Sequence, residues 1–276
     1  MKLIVFLCMI FFSLSGKGQR LHADFYAGMV NYTGDMKGKA GLAGGIGLSY
    51  DLVPKFNLRG VVSYGRLQGD DKNNSSGKGT ELRNLNFKSS IIEGQIAIEY
   101  NLFDLSVRSF TPYIFAGGAV YHYNPYSSDS TGKKVFLQPL GTEGQGLSQY
   151  PDKKLYKLTQ FAIPFGGGVK LALSDKLHVG FELGLRKLFN DYLDDVSTTY
   201  ADSTILASER GPVSVAFAYR GDELTGGALY PKEGAQRGNP TKKDWYYMAG
   251  LKVSYRLGSG KDQRKKSKTG CPVFDD

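Results

Sequence analysis

Cysteine is nearly absent from this chain: its 276 residues include only Cys8 and Cys271. One bridge is therefore the maximum, which excludes a disulfide-stapled scaffold. Histidine is nearly as scarce, and positions 22, 122 and 178 have none of the spacings by which such side chains ligate metal. No metal or cofactor is expected. Long hydrophobic runs are missing after residue 15, where nothing approaches the roughly 18 consecutive apolar residues of a spanning helix. A helical membrane bundle is thereby excluded, and any membrane role falls to strands. What the chain has instead is 36 glycines, 18 tyrosines and 16 phenylalanines, a profile of strands and turns in which glycine is at nearly twice its usual share of roughly 7%.

The N-terminus reads as a targeting signal. Lys2 precedes an almost unbroken apolar run from Leu3 to Leu14, and Ser15, Gly16 and Gly18 supply the small residues of a cleavage site. Residues 1–18 are assigned as a signal peptide and the mature chain begins at Gln19. The run is short for an uncleaved anchor, and Cys8 has no lipobox before it. Loss of Lys2 and Lys17 lowers the formal charge of +9 by two, a mild cationic excess that singles out no partner and gives no reason to expect nucleic acid.

Strand periodicity carries most of the information in the mature chain. From Ile92 to Leu102 an oily set (Ile92, Gly94, Ile96, Ile98, Tyr100, Leu102) alternates without a break with Glu93, Gln95, Ala97, Glu99 and Asn101. The same period of two returns in Phe56 to Tyr64 and Leu177 to Leu185. Weaker copies run Leu21 to Met29, Leu42 to Tyr50, Thr111 to Tyr123, Phe161 to Leu173 and Trp245 to Leu257. That makes eight strands, each near the 9 to 11 residues that cross a bilayer at a tilt.

The connections alternate in length. Residues 53–55, 103–110 and 174–176 are short links, while 33–41, 66–90, 124–159 and 190–244 are long and rich in Gly, Ser, Asp, Lys and Pro. Even strand number, short turns at one end and long loops at the other describe a bacterial outer-membrane barrel with both termini in the periplasm. A soluble barrel has the same alternation with its faces exchanged. The leader, the lack of disulfides and the aromatics near strand ends (Tyr50, Tyr64, Tyr100, Tyr113, Tyr123, Phe161, Tyr247, Tyr255) favour the membrane version. The expected fold is all-β: an eight-stranded antiparallel up-and-down transmembrane β-barrel over residues 19–257, with long extracellular loops and outer-membrane lipid around it.

If the apolar face meets lipid, the inward groups are Asp24, Asp51, Glu93, Glu99 and Glu182 against Arg59, Lys170, Arg186, Lys252 and Arg256. An eight-stranded barrel is just wide enough to be filled by side chains. A buried ion-pair network follows from this, and no general porin activity. Reading Glu93 and Glu99 as catalytic carboxylates is the rarer alternative.

Other motifs are weak. Gly44, Gly45 and Gly47, and Gly166 to Gly168, lie inside strand patterns with no following helix, so close packing or a bend explains them better than phosphate binding. His122, near Ser127, Ser128 and Asp129, has the residue types of a barrel enzyme, although beside Tyr121 and Tyr123 it reads more simply as a girdle residue. Arg220, Gly221 and Asp222 spell an adhesion tripeptide in a polar loop.

Three longer motifs resemble a family. Asn31, Tyr32, Thr33, Gly34, Asp35; then Asp191, Tyr192, Leu193, Asp194, Asp195, Val196, Ser197; then Arg237, Gly238, Asn239, Pro240 with Asp244 and Tyr246 are similar to the "N-Y-x-G-D", "D-Y-L-D-D-V-S" and "R-G-N-P…D-x-Y" signatures of the PorG-like outer-membrane β-barrels of Bacteroidota. Asn190 stands where that family usually has Thr. The resemblance implies a non-enzymatic component of the type IX protein secretion and gliding machinery that contacts subunits of a periplasmic ring. Asp191, Asp194 and Asp195 crowd the outer mouth of the seventh strand, where they either hold a divalent cation or, more simply, tie the long loop to Arg237.

The tail, residues 258–276, carries Lys261, Arg264, Lys265, Lys266, Lys268 and Cys271. It reads either as a solvated end or as a periplasmic contact for an acidic partner, with Cys271 idle or in a mixed disulfide. Two further functions stay open: a lipid-modifying or proteolytic barrel enzyme using His122, and an orphan adhesin or scaffold.

Overall fold

Unbroken alternation along successive strands leaves each with two unlike faces, and closing the sheet on itself hides one face and every hydrogen-bonding edge at once. In a computed structural model, which describes residues 20–73 and 80–257, the chain does this. Its strands are β1 (Leu21–Thr33), β2 (Lys37–Lys39), β3 (Gly41–Val53), β4 (Phe56–Asp70), β5 (Asn86–Asn101), β6 (Phe110–Tyr123), β7 (Tyr126–Ser128), β8 (Lys134–Phe136), β9 (Thr159–Ala172), β10 (Leu177–Leu188) and β11 (Trp245–Leu257). The eight long ones pair antiparallel in the order β1-β3-β4-β5-β6-β9-β10-β11, and β11 returns to β1 along Leu21↔Leu257 to Thr33↔Trp245. The barrel is closed. The predicted signal peptide and the basic tail with Lys261, Arg264, Lys265, Lys266, Lys268 and Cys271 lie outside the described residues.

All eight expected strands form, but several extend further than apolar alternation shows. β4 runs on to Asp70 and β5 begins at Asn86, so the link between them is much shorter than residues 66–90. In these extensions the faces exchange roles. Through the middle of the barrel Ile46, Val62, Ile92, Ile96, Phe181 and Leu251 point out while charged groups point in; from Ile91 toward Asn86, Lys88 and Arg66 point out while Leu67, Phe87 and Ile91 are buried inside. The barrel thus rises out of its apolar belt at the long-link end. There its inside is an apolar and aromatic core of Val30, Tyr32, Leu67, Phe87, Tyr121, Tyr123 and Tyr246.

The expected aromatic girdle is corrected by side-chain parity. Tyr113 and Tyr123 have the parity of Phe115 and Tyr121 and are buried inside, whereas Tyr64, Phe161 and Tyr255 face outward. The strand glycines serve close approach: a Cβ on Gly168 would sit 2.2 Å from the Phe181 carbonyl oxygen and 2.7 Å from the Tyr113 hydroxyl.

The long links are structured. β7 and β8 form a hairpin laid onto β5 at Lys88↔Tyr126. The last link carries two short helices, α1 (Ser203–Arg210), capped by Asp202 accepting from the Thr204 and Ile205 amides, and α2 (Pro212–Ala218).

Candidate functional site

Two layers of polar side chains are stacked along the barrel axis. The lower one lies within the apolar belt. Asp24 of β1, Arg59 of β4, Glu93 and Glu99 of β5, Lys170 of β9, Glu182 and Arg186 of β10 and Lys252 of β11 all point inward and are buried. Four carboxylates thus face four cations. Arg59 grips Glu182 with both terminal nitrogens, at 2.6 and 2.8 Å, and reaches Glu99 at 3.4 Å. Glu99 also accepts from Lys170 and lies 3.6 Å from Lys252, which is 3.2 Å from Asp24. Arg186 donates to Glu93 at 2.9 and 3.1 Å; Tyr246 donates to the same carboxylate and Tyr113 to Glu182 at 2.8 Å. The void left beside Asp24, Arg59 and Lys252 is about 20 Å³, room for about one water. Asp51 and Arg256 sit lower, at the short-link mouth, where Asp51 lies 3.0 Å from His22.

The upper layer gathers the motif residues. Tyr32 ends β1 inside the barrel and its hydroxyl donates to Asp194, with Asp244 Oδ1 at 3.4 Å. Asp194 also accepts from the Val196 amide and Asp244 from the Leu193 amide. Asp191 accepts from the Ser197 hydroxyl at 2.7 Å. Asp195 accepts from Thr142 at 2.6 Å and Tyr156 at 2.7 Å. Asp35 takes the Asn239 amide at 2.9 Å. Gly34 and Gly238 are close-contact positions: a Cβ on Gly34 would fall 2.0 Å from both Asp244 Oδ1 and the Tyr32 hydroxyl, and one on Gly238 would meet the Ser197 backbone at 2.7 Å. Tyr192 stacks on Tyr156 with centroids 4.9 Å apart. Three segments separated by up to 212 residues therefore meet in one largely buried cluster, in which Gly34 is exposed and Asp35 half-buried.

Arg237 binds this cluster together. Its Nε donates to the Ala218 carbonyl at 3.0 Å, and its Nη1 to Glu143 at 3.0 Å and to the Asp195 carbonyl at 2.5 Å. Its Nη2 lies 3.7 Å from the Asp195 carboxylate. Of the three acids expected beside Arg237 only Asp195 lies against it, while Asp191 accepts from Ser197 and Asp194 from Tyr32 and the Val196 amide.

Glu143 and Arg83 were not among the expected residues. Glu143 is fully buried and accepts from the Ser197 and Thr198 amides, the Thr198 and Tyr192 hydroxyls and Arg237. Arg83 pairs with Asp71 at 2.7 and 2.8 Å and donates to the Arg237 carbonyl. A signal for Glu143 exists in the run Gly141, Thr142, Glu143, Gly144, Gln145, Gly146, whose three glycines have φ of 56°, 83° and 75°; such a turn-dense stretch marks a tightly folded loop.

Burial raises the acids of the cluster. Asp191 and Asp195 are pushed up to about 6, and Asp194 and Asp244 go well above the ordinary carboxylate range, burial acting first and the neighbouring carboxylates adding to it. Geometry agrees, since the Tyr32 hydroxyl has one proton to give and two carboxyls beside it. A carboxyl raised from about 3.9 when unfolded binds more protons folded, so its contribution is complete below pH about 4 and is lost as pH rises through about 6. Hydrogen exchange over residues 189–200, corrected for intrinsic rates, should show protection falling from pH 5 to pH 8. A flat or rising profile would contradict the assignment.

His122 is not brought to its expected partners. It points outward, with Nδ1 3.0 Å from the Thr159 hydroxyl, whereas Ser127 is buried, donating to Asn86 at 2.7 Å and accepting from Arg220. Arg220 is engaged further by Glu223 and the Ser128 carbonyl, so the guanidinium of the tripeptide is held within the loops.

An apolar outside around a charged inside is the arrangement of a transmembrane β-barrel, and this is the class the fold defines. Residues 1–136 match a family described as "Domain of unknown function (DUF6089)". No curated protein matches the chain in sequence. Similar solved structures include Neisserial surface protein A (NspA), 12% identical over 86% of this chain and 97% of that one with a TM-score of 0.42. The outer membrane protein OprG from Pseudomonas aeruginosa is 10% identical over 87% and 98%, TM-score 0.44. The outer membrane protease OmpT from Escherichia coli is 9% identical over 87% and 97%, TM-score 0.34.

Proposed function

We propose that the chain is a non-enzymatic outer-membrane barrel, with both termini in the periplasm, that serves as a structural component of the type IX secretion and gliding machinery and contacts periplasmic ring subunits. The observation that carries the reading is the convergence of Tyr32, Gly34, Asp35, Asp191, Asp194, Asp195, Arg237, Gly238 and Asp244, the residues of the family resemblance, in one clasp that is buried except at Gly34 and Asp35. The side-chain-filled barrel supports a scaffold in preference to a pore, and the outward placement of His122 does not favour the enzyme.

Deleting the gene in its native host should abolish secreted protein and gliding, and a tagged copy that restores both should carry ring subunits through gentle detergent. Removing residues 260–276 should then lose those subunits while the barrel still inserts. Intact secretion with a barrel recovered alone would overturn the secretion role and leave the fold standing.

A further inference from the structure

Against the clasp, with Gly34, Asp35, Arg237 and Gly238 in its lining, the long-link end carries a cleft of about 1120 Å³. Its barrel wall is formed by Thr33, Trp245 and Lys187, which occupy one row of register across β1, β11 and β10. This row has outward parity, because Tyr32, Tyr246 and Arg186 beside it are buried inside. From Tyr255, which faces out near the short-link end, to Trp245 is ten residues of β11; at about 3.3 Å per residue and a tilt of about 40° they rise about 25 Å, the height of a barrel's apolar band. Trp245 and Lys187 therefore sit at the outer interface, where Trp is favoured.

The chemistry of the cleft is two-sided. Lys242 and Lys243 join Lys187 on its walls, and Asp35 is the single carboxylate among the described lining residues. Lys187 and Lys242 have no ion-pair partner among the described residues. Leu82 and Leu229 in the same lining are 58% and 88% exposed. Below Lys187 and Trp245 the outward surface is oily, with Phe181, Leu183 and Leu251.

We propose that this groove seats the phosphorylated headgroup of an outer-leaflet lipid, its phosphate among Lys187, Lys242 and Lys243 and its acyl chains along β10 and β11. Lysines serve as point charges for phosphate, and the lateral opening onto an apolar strand face selects a lipid over a soluble anion. The inference rests on the membrane placement and is independent of the secretion role.

Trp245 is the only tryptophan of the chain and reports on its own site. The full mature chain, inserted in phosphatidylcholine nanodiscs, is titrated with a bisphosphorylated lipid A, with the same glycolipid stripped of phosphate, and with inorganic phosphate. A saturable change in Trp245 emission is expected for the phosphorylated lipid alone. Lys187→Gln, Lys242→Gln and Lys243→Gln should each weaken it about fivefold, with the heat-dependent gel shift of the folded barrel unchanged. Equal response to the stripped lipid, an equal response to inorganic phosphate, or full affinity in the triple variant would overturn the proposal. A chain that fails to enter bilayers would overturn the placement, and the groove with it.

Discussion

Replacing Glu99 by alanine should be the most damaging single change inside the barrel, costing about 3 to 5 kcal/mol of stability. Glu99 is fully buried and stands among Lys170, Lys252 and Arg59. Without it four cations face three carboxylates, and the void beside Arg59 and Lys252 has room for about one water, so the excess charge there is neither solvated nor paired. Truncation adds a cavity of its own. Glu99→Gln keeps the shape and part of the hydrogen bonding and should lose less. The decisive variant is Glu99→Gln combined with Lys170→Met, in which one cation leaves with the anion. If unbalanced charge is the main cost, the double variant should be more stable than Glu99→Gln alone, a positive coupling read from a double-mutant cycle. Urea unfolding in lipid vesicles, followed by the heat-dependent gel shift, measures all three. A loss under about 1 kcal/mol for Glu99→Ala would mean that water reaches this layer, and the filled-barrel description would fail with it.

The lower layer was legible in the sequence for a simple reason. A side-chain period of two leaves Glu93 and Glu99 no choice but to share a face, and the oily residues between them fix which face meets lipid. Position near a strand end is the weaker guide: it assigns Tyr113 and Tyr123 to the girdle, whereas the period of two gives them the parity of Phe115 and Tyr121 and puts them inside. The outer ends of β4 and β5 were hidden because the chain leaves lipid there: Arg66 and Lys88 point out and Leu67 and Phe87 point in, reversing the pattern used to find strands. The upper cluster was legible only as separate motifs. Nothing local says that Tyr32, Asp194 and Asp244 share a site, since their contact is created by closure of β11 onto β1. For Glu143 the glycine-dense run marks a tight turn but not the role, because its partners Arg237 and Thr198 lie 94 and 55 residues away.

Replacing Arg237 by methionine should open the loop cap and spare the barrel. The guanidinium is fully enclosed and donates to two carbonyls and to Glu143, with Asp195 alongside, joining the link after β8 to the end of α2 and to the turn after β10. Although burial alone would lower its pKa, Glu143 and Asp195 raise it above the ordinary arginine value. Removing one partner of such a pair leaves an uncompensated buried charge, again about 3 to 5 kcal/mol. Here the loss falls on the cap, because the cluster lies above the Glu99 layer and shares no ion pair with it. Hydrogen-exchange protection of residues 140–147 and 191–199 should drop by at least about a hundredfold, while the gel shift of the barrel persists. Arg237→Lys retains the charge without the planar fork and should fall between. Adding Glu143→Gln to Arg237→Met removes the stranded anion and should restore part of the protection. Unchanged exchange in Arg237→Met would show that the clasp is held by the Tyr32, Asp194 and Asp244 contacts alone. Loss of the gel shift would show that cap and barrel unfold as one unit.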